Sequence, residues 1–134
     1  MADLSGKWKE QSNEQLGEFF EAIEVPYLVR KAMAKLPLTV TVKQDGDNFA
    51  IKTVTLVKVF EQKFTVGEEF EETNPFGDKA LVKASWEGEK LVIAPTVEPD
   101  KPWPVVTREL VGTDGMVTTF EVKNVVCKRH LKKV

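Results

Sequence analysis

The sequence contains few of the residues that build metal centres, disulfides and covalent active sites. Cys127 is the single cysteine and His130 the single histidine among 134 residues, so neither an internal disulfide nor a Cys/His zinc site can form. No segment has the spacing of a calcium-binding loop, a phosphate-binding loop or a nucleophile elbow. We therefore predict no metal, no cofactor and no catalytic residue.

The sequence also has no large excess of charge of one sign and no long apolar run. The 19 basic and 21 acidic residues give a net charge of -2, which creates no strong field for nucleic acid. No apolar run approaches the length needed to cross a membrane, and residues 1–6 lack the basic and apolar regions of a signal peptide. We expect a cytoplasmic protein that does not bind nucleic acid.

What the chain does have is the composition of a globular protein and one short helical region. With 42% hydrophobic and 30% charged residues it can bury a core, and its length favours one domain over residues 1–134. Ser12 and Gln15 have the spacing of a capping box. Apolar residues then follow at helical spacing: Leu16, Phe19, Phe20 and Ile23. Pro26 suits the start of a second helix and Pro37 its end, with one apolar face formed by Val29, Met33 and Leu36.

After this region the hydrophobic period changes to two, which is typical of strands. Turn signals rich in Gly, Asn and Asp separate the segments. The predicted strands are 6–11, 38–44, 48–55, 58–65, 69–73, 79–86, 90–94, 104–111, 116–123 and 125–132. Strands at this regular, short spacing favour an antiparallel sandwich or barrel, interrupted once by the helix pair.

Several local sequences accompany this order of elements, among them Gly6-Lys7-Trp8, Gln44-Asp45-Gly46-Asp47, Thr65-Val66-Gly67-Glu68, Thr107-Arg108-Glu109-Leu110 and Cys127-Lys128-Arg129. Together, the order and these segments resemble the intracellular lipid-binding proteins, the family of fatty-acid-binding and cellular retinoid-binding proteins. The resemblance implies an all-β fold. This is a ten-stranded antiparallel up-and-down β-barrel, flattened like a clam, with a helix-turn-helix lid between its first two strands and a cavity inside.

Two arginines on predicted strands, Arg108 and Arg129, are the main candidates for ligand binding. Sequence alone leaves open that both point to solvent and pair with carboxylates. Inside a barrel they would be costly unless an anion met them, and the resemblance implies that they bind the carboxylate head group of a lipid. The family's tyrosine is expected two residues beyond Arg129, where this chain has Leu131. Arg108 argues against retinol, because the retinol-binding branch has a glutamine there.

Further candidates are apolar or hydroxyl residues that the resemblance directs toward the cavity. Thr53, Thr55 and Val57 share one strand face, although threonine is also simply a good strand former. Phe76 is either a gate at the cavity entrance or an ordinary turn aromatic. The helix residues Leu16, Phe20 and Met33 either cover the ligand or seat the helices on the barrel.

Charged groups outside the arginine pair have simpler interpretations. The basic residues Arg30, Lys31 and Lys35 form either a solvated helix face or a docking patch. The acidic run that includes Glu71 and Glu72 is interpreted as exposed charge that aids solubility.

The function predicted from the sequence is an intracellular, monomeric and non-enzymatic carrier of a long-chain fatty acid or similar hydrophobic carboxylate. A cellular retinoic-acid-binding protein is the near alternative. A second alternative is a lipid-modulated regulator whose helical lid docks transiently on a membrane, on a protein or in the nucleus.

Overall fold

Ten antiparallel strands form a single sheet that curls into a nearly closed barrel, and two helices follow the first strand. These elements belong to a computed structural model that describes residues 2–34, 37–55, 58–74 and 76–134. The strands are β1 (Gly6–Glu14), β2 (Thr39–Asp45), β3 (Asn48–Val54), β4 (Val59–Thr65), β5 (Glu69–Thr73), β6 (Lys79–Glu87), β7 (Lys90–Pro95), β8 (Val105–Val111), β9 (Gly115–Val122) and β10 (Val125–Lys133). The prediction of a ten-stranded antiparallel barrel is confirmed.

The order of strands around the barrel is β4-β3-β2-β1-β10-β9-β8-β7-β6-β5, so β4 and β5 are the two edges of the sheet. Side chains join these edges where the backbone ladder does not. The rings of Phe64 and Phe70 stack with centroids 5.0 Å apart, and the Gln62 amide donates a hydrogen bond to Glu72. The barrel is therefore closed on this side by side-chain contacts.

Alternation of buried and exposed residues along each strand separates the barrel interior from solvent. In β6 the buried residues Ala80, Val82 and Ala84 alternate with exposed Lys79 and Lys83.

Trp8 lies in the larger of the two apolar clusters found among the described residues. It is 2% exposed, and its indole Nε1 donates to the Leu4 carbonyl oxygen at 3.1 Å. The hydrogen bond satisfies the one polar atom of a side chain that is otherwise buried among apolar groups.

The helices α1 (Leu16–Ala22) and α2 (Tyr27–Met33) lie between β1 and β2. The capping-box prediction was wrong, because β1 continues to Glu14 and places Ser12 opposite His130 of β10. Gln15 instead precedes α1 with a φ of 57° and without a side-chain capping bond. The backbone ladder to β10 includes Ser12, the residue that the local pattern assigned to the cap. Neither helix in the described ranges is long and apolar enough to cross a membrane.

Candidate functional site

A cavity of about 660 Å³ lies inside the barrel and reaches both helices. This volume is within the range of small-molecule sites in proteins. Its wall is mainly apolar and aromatic, with side chains from the helices and from strands on all sides, including Phe19, Ile23, Val40, Ile51, Phe60, Trp103, Val106 and Phe120. Such a wall can bury a hydrocarbon chain without requiring directional contacts.

Three polar side chains form a row across neighbouring strands on one wall of this cavity. Arg108 of β8 lies opposite Thr118 of β9, and Thr118 in turn lies opposite Arg129 of β10. Residues in direct cross-strand register on one face are about 5 Å apart. The alternative in which both arginines point to solvent is excluded, because both side chains line the cavity.

The Arg129 guanidinium is bound to a carboxylate of the protein itself. Its Nε donates to Glu10 Oε2 at 2.6 Å, and Nη2 lies 3.5 Å from Glu10 Oε1. Arg129 is 9% exposed and Glu10 is 7% exposed, so the ion pair is almost fully removed from water. A pair at this depth is maintained because each charge would be costly without the other.

Arg108 is in a different state. Its Nη1 is buried and has no hydrogen-bond partner among the described residues. Burial lowers the pKa of the Arg108 guanidinium, an effect that the negative charge of Glu72 opposes. A desolvated guanidinium with an unsatisfied N–H group is a strong attractor for an anion.

The Glu72 side chain lines this cavity. The interpretation of the acidic run as exposed charge was therefore wrong for Glu72. This residue is half-buried, and its Oε1 accepts a hydrogen bond from Trp103 Nε1 at 2.8 Å. Its second oxygen accepts from Gln62 across the gap between the edge strands. Strand alternation places Glu72 inward, whereas its neighbour Glu71 is exposed and pairs with Lys79.

Most residues predicted as ligand contacts line the same cavity. These are Phe20, Met33, Thr53, Thr55, Phe76 and Leu131, in addition to the two arginines. Leu16 lies elsewhere: it is buried against Val122 and Cys127 beneath α1 and does not line the cavity. Val57 lies outside the described residues. Contact of these side chains with a ligand stays a prediction.

Phe76 occupies a turn with a defined internal structure. The Asn74 side-chain oxygen accepts hydrogen bonds from the backbone N–H groups of Phe76 and Asp78, both at 2.9 Å. Gly77 has a φ of 87°, which a residue with a side chain rarely adopts. The Phe76 ring lines the cavity and is still 38% exposed, so it stands at a boundary between cavity and solvent.

The single cysteine and the single histidine lie on different faces of β10. Burial raises the pKa of the Cys127 thiol to about 11, so it is protonated at neutral pH. His130, three residues after Cys127, faces outward from the barrel. Its Nε2 lies 2.6 Å from Glu14 Oε2. Within the described ranges, no group of three or more His, Cys, Asp or Glu side chains could hold a metal ion.

Glu10 is a site residue that was not predicted from the sequence, although a signal for it was present. Glu10 follows the core residue Trp8 by two positions on β1, so strand alternation directs it inward. An inward carboxylate near an inward arginine is a candidate ion pair.

Comparison with known proteins gives several matches over nearly the whole chain. Residues 5–134 match the family described as "Lipocalin / cytosolic fatty-acid binding protein family". The chain is 40% identical over 134 residues to Cellular retinoic acid-binding protein 1 of Homo sapiens, with 96% of each protein covered. It is 34% identical over 134 residues to Sodium/calcium exchanger regulatory protein 1 of Doryteuthis pealeii, with 99% of this chain and 98% of that protein covered. Among solved structures, the REP1-NXSQ fatty acid transporter aligns with a TM-score of 0.91 and 33% identity, covering 100% of this chain and 98% of the other.

Proposed function

Because the chain belongs to the lipocalin / cytosolic fatty-acid binding protein family, we propose that it is an intracellular carrier that holds a long-chain carboxylate inside its barrel. One observation carries this proposal: an apolar cavity contains a buried arginine, Arg108, whose Nη1 has no hydrogen-bond partner among the described residues. A lipid carboxylate would supply that partner. The apolar wall would bury the hydrocarbon tail at about 0.8 kcal/mol per CH₂ group.

A fatty acid is the first candidate ligand. The aliphatic Leu131 stands where the family's tyrosine is expected, and a cavity with this residue accepts a flexible chain. The structural neighbour named as a fatty acid transporter supports the same ligand class. Retinoic acid is the second candidate, favoured by the 40% identity to a protein named for that ligand.

Calorimetry with a matched set of ligands tests the proposal. Oleic acid, oleyl alcohol and all-trans-retinoic acid would be titrated into the purified protein, after native mass spectrometry of any lipid that copurifies. We expect at least one of the two acids to bind, and to bind more tightly than the alcohol.

The matched variants are Arg108→Gln and Arg30→Gln. Arg30 is an arginine outside the cavity, on α2, where it pairs with Glu21 at 3.7 Å. Arg108→Gln should abolish the preference for the acid over the alcohol, and Arg30→Gln should retain it. Failure of the wild-type protein to bind either acid would refute the carrier function.

We further propose that the protein performs no chemistry on its ligand and acts as a monomer. Two observations support the absence of chemistry on the ligand. Burial keeps the thiol of Cys127, the single cysteine, protonated, and His130 faces outward. Recovery of the bound acid unchanged after prolonged incubation with the protein is the expected result.

Ligand-dependent docking through α2 is a second candidate role. No residue of α2 is buried, and Tyr27 and Leu28 are 63% and 79% exposed. The relative named as an exchanger regulatory protein also suggests a role in regulation. Cosedimentation of ligand-loaded protein with vesicles, or a ligand-dependent change of its location in cells, would support this role. Equal behaviour of loaded and empty protein would contradict it.

A further inference from the structure

The buried ion pair between Glu10 and Arg129 has a consequence for how the cavity selects its ligand. We propose that Glu10 is a specificity-determining residue: its carboxylate binds Arg129 from inside the protein and thereby assigns recognition of the ligand's acid group to Arg108. This inference rests on the proposed carrier function.

The geometry of the pair shows that Arg129 is already neutralised before a ligand arrives. The distance of 2.6 Å from Nε to Oε2 is that of a short, charge-assisted hydrogen bond. The Glu10 side chain is 4% exposed and, unlike Arg129, does not line the cavity. A lipid carboxylate reaching Arg129 would have to compete with an anion that is held in place by the strand itself.

Arg108 has no equivalent competitor at its buried Nη1. That atom lacks a hydrogen-bond partner among the described residues, although Glu72 lies close enough to act on its charge. The Glu72 carboxylate is itself held by Trp103 and Gln62 through hydrogen bonds. The N–H group of Arg108 is consequently the donor that an incoming acid can satisfy at the least cost.

The charges near the row of Arg108, Thr118 and Arg129 therefore nearly balance before binding. Two guanidinium groups face the carboxylates of Glu10 and Glu72. In a cavity of this kind the advantage of an acid over a neutral lipid of the same length is reduced, because one of the two cations is already paired. Removal of the Glu10 charge should restore that advantage.

The test is a comparison of Glu10→Gln with the wild-type protein, using oleic acid and oleyl alcohol as probes. Glutamine preserves the size of the side chain and removes its charge. We expect the affinity for oleic acid to rise about tenfold or more, because Arg129 becomes free to bind the acid. The affinity for oleyl alcohol should change by less than about threefold. The gain should disappear in Glu10→Gln combined with Arg129→Gln.

Glu14→Gln is the matched control. Glu14 is on the same strand and pairs with His130 of β10, but this pair lies on the outer face of the barrel. Its substitution changes the net charge by the same amount and should leave the ratio of acid to alcohol affinity unchanged. An equal gain in Glu14→Gln would show a general charge effect and would overturn the proposal.

Two outcomes separate the inference from the function on which it rests. If the wild-type protein binds neither probe, the carrier function fails and the inference fails with it. If the wild-type protein binds oleic acid and Glu10→Gln changes acid and alcohol affinity equally, only the inference is refuted. Should Glu10→Gln be too unstable to titrate, Glu10→Asp retracts the carboxylate and should give a smaller gain in the same direction. The absence of that gain would also refute the inference.

Discussion

Replacement of Arg129 by glutamine should be among the most destabilising single changes in the barrel. The guanidinium is 9% exposed, and its partner Glu10 is 7% exposed. Removal of Arg129 leaves the Glu10 carboxylate buried without its cation. Breaking a buried ion pair in this way costs about 3–5 kcal/mol. Domains of ordinary stability unfold with a free energy of about 5–15 kcal/mol, so the variant should lose at least about a fifth of it.

Urea denaturation at neutral pH measures the effect. With a slope of about 2 kcal/mol per M for a protein of this size, the unfolding midpoint of Arg129→Gln should fall by about 2 M. Glu10→Gln combined with Arg129→Gln places two amides of similar shape at the site and leaves no buried charge. This double variant should therefore be more stable than Arg129→Gln alone.

The outer pair of β1 and β10 provides the control for this experiment. Glu14→Gln removes the partner of His130, in a pair whose side chains are 60% and 39% exposed. Exposed pairs contribute little, so the midpoint should not move measurably. The reasoning is refuted if Arg129→Gln loses less than about 1 kcal/mol, or if the double variant is no more stable than Arg129→Gln.

Three further predictions concern the ligand entrance, the missing tyrosine and the thiol. Phe76→Ala should speed the release of a fluorescent fatty acid in stopped-flow measurements and have little effect on urea unfolding. Phe20 is 4% exposed, so Phe20→Ala should both speed release and destabilise the fold by about 3–5 kcal/mol. Leu131→Tyr should bind oleic acid at least as tightly as the wild-type protein in calorimetry, because it restores a hydroxyl donor; weaker binding would indicate overpacking. The pKa of Cys127 rises from 9.0 to about 11 on folding, so above pH 9 the unfolded state loses a proton that the folded state keeps. Stability should consequently decline between pH 9 and about 11, and less so in Cys127→Ala.

The strands could be predicted from the sequence because two independent local signals coincide. Apolar residues alternate within each segment, and glycine marks the turns between them, as at Gly46, whose φ is 59° in the hairpin between β2 and β3. Both signals are read over a few residues, and neither depends on distant partners. The same locality explains the error at Ser12, where a capping pattern was outweighed by a ladder to β10, far along the chain.

The candidate site was predicted only in part, for a related physical reason. Strand alternation and the family resemblance direct Arg108 and Arg129 inward, and both line the cavity. The partner of Arg129 is 119 residues away in sequence, so the pairing exists only once β1 and β10 lie side by side. An irregularity in the register between Glu10 and Ser12 further shifts which residues meet. No local pattern contains that information.

Two features of the head-group site lie at one point of the barrel: the missing tyrosine and the carboxylate that pairs with Arg129. Leu131, which replaces the expected tyrosine, is the residue directly opposite Glu10 in the pairing of β10 with β1. A tyrosine there would offer a hydroxyl donor to the ligand, whereas Leu131 offers none. Glu10 offers an acceptor that binds Arg129 instead. Both features reduce the number of donors that a ligand carboxylate could use, and both leave Arg108 with an unsatisfied N–H group. Each feature on its own favours an acid group placed near Arg108. Glu10→Gln should therefore strengthen binding of the acid, and Leu131→Tyr should bind it at least as tightly as the wild-type protein. Because the two residues are in contact range across the strands, their effects should not simply add.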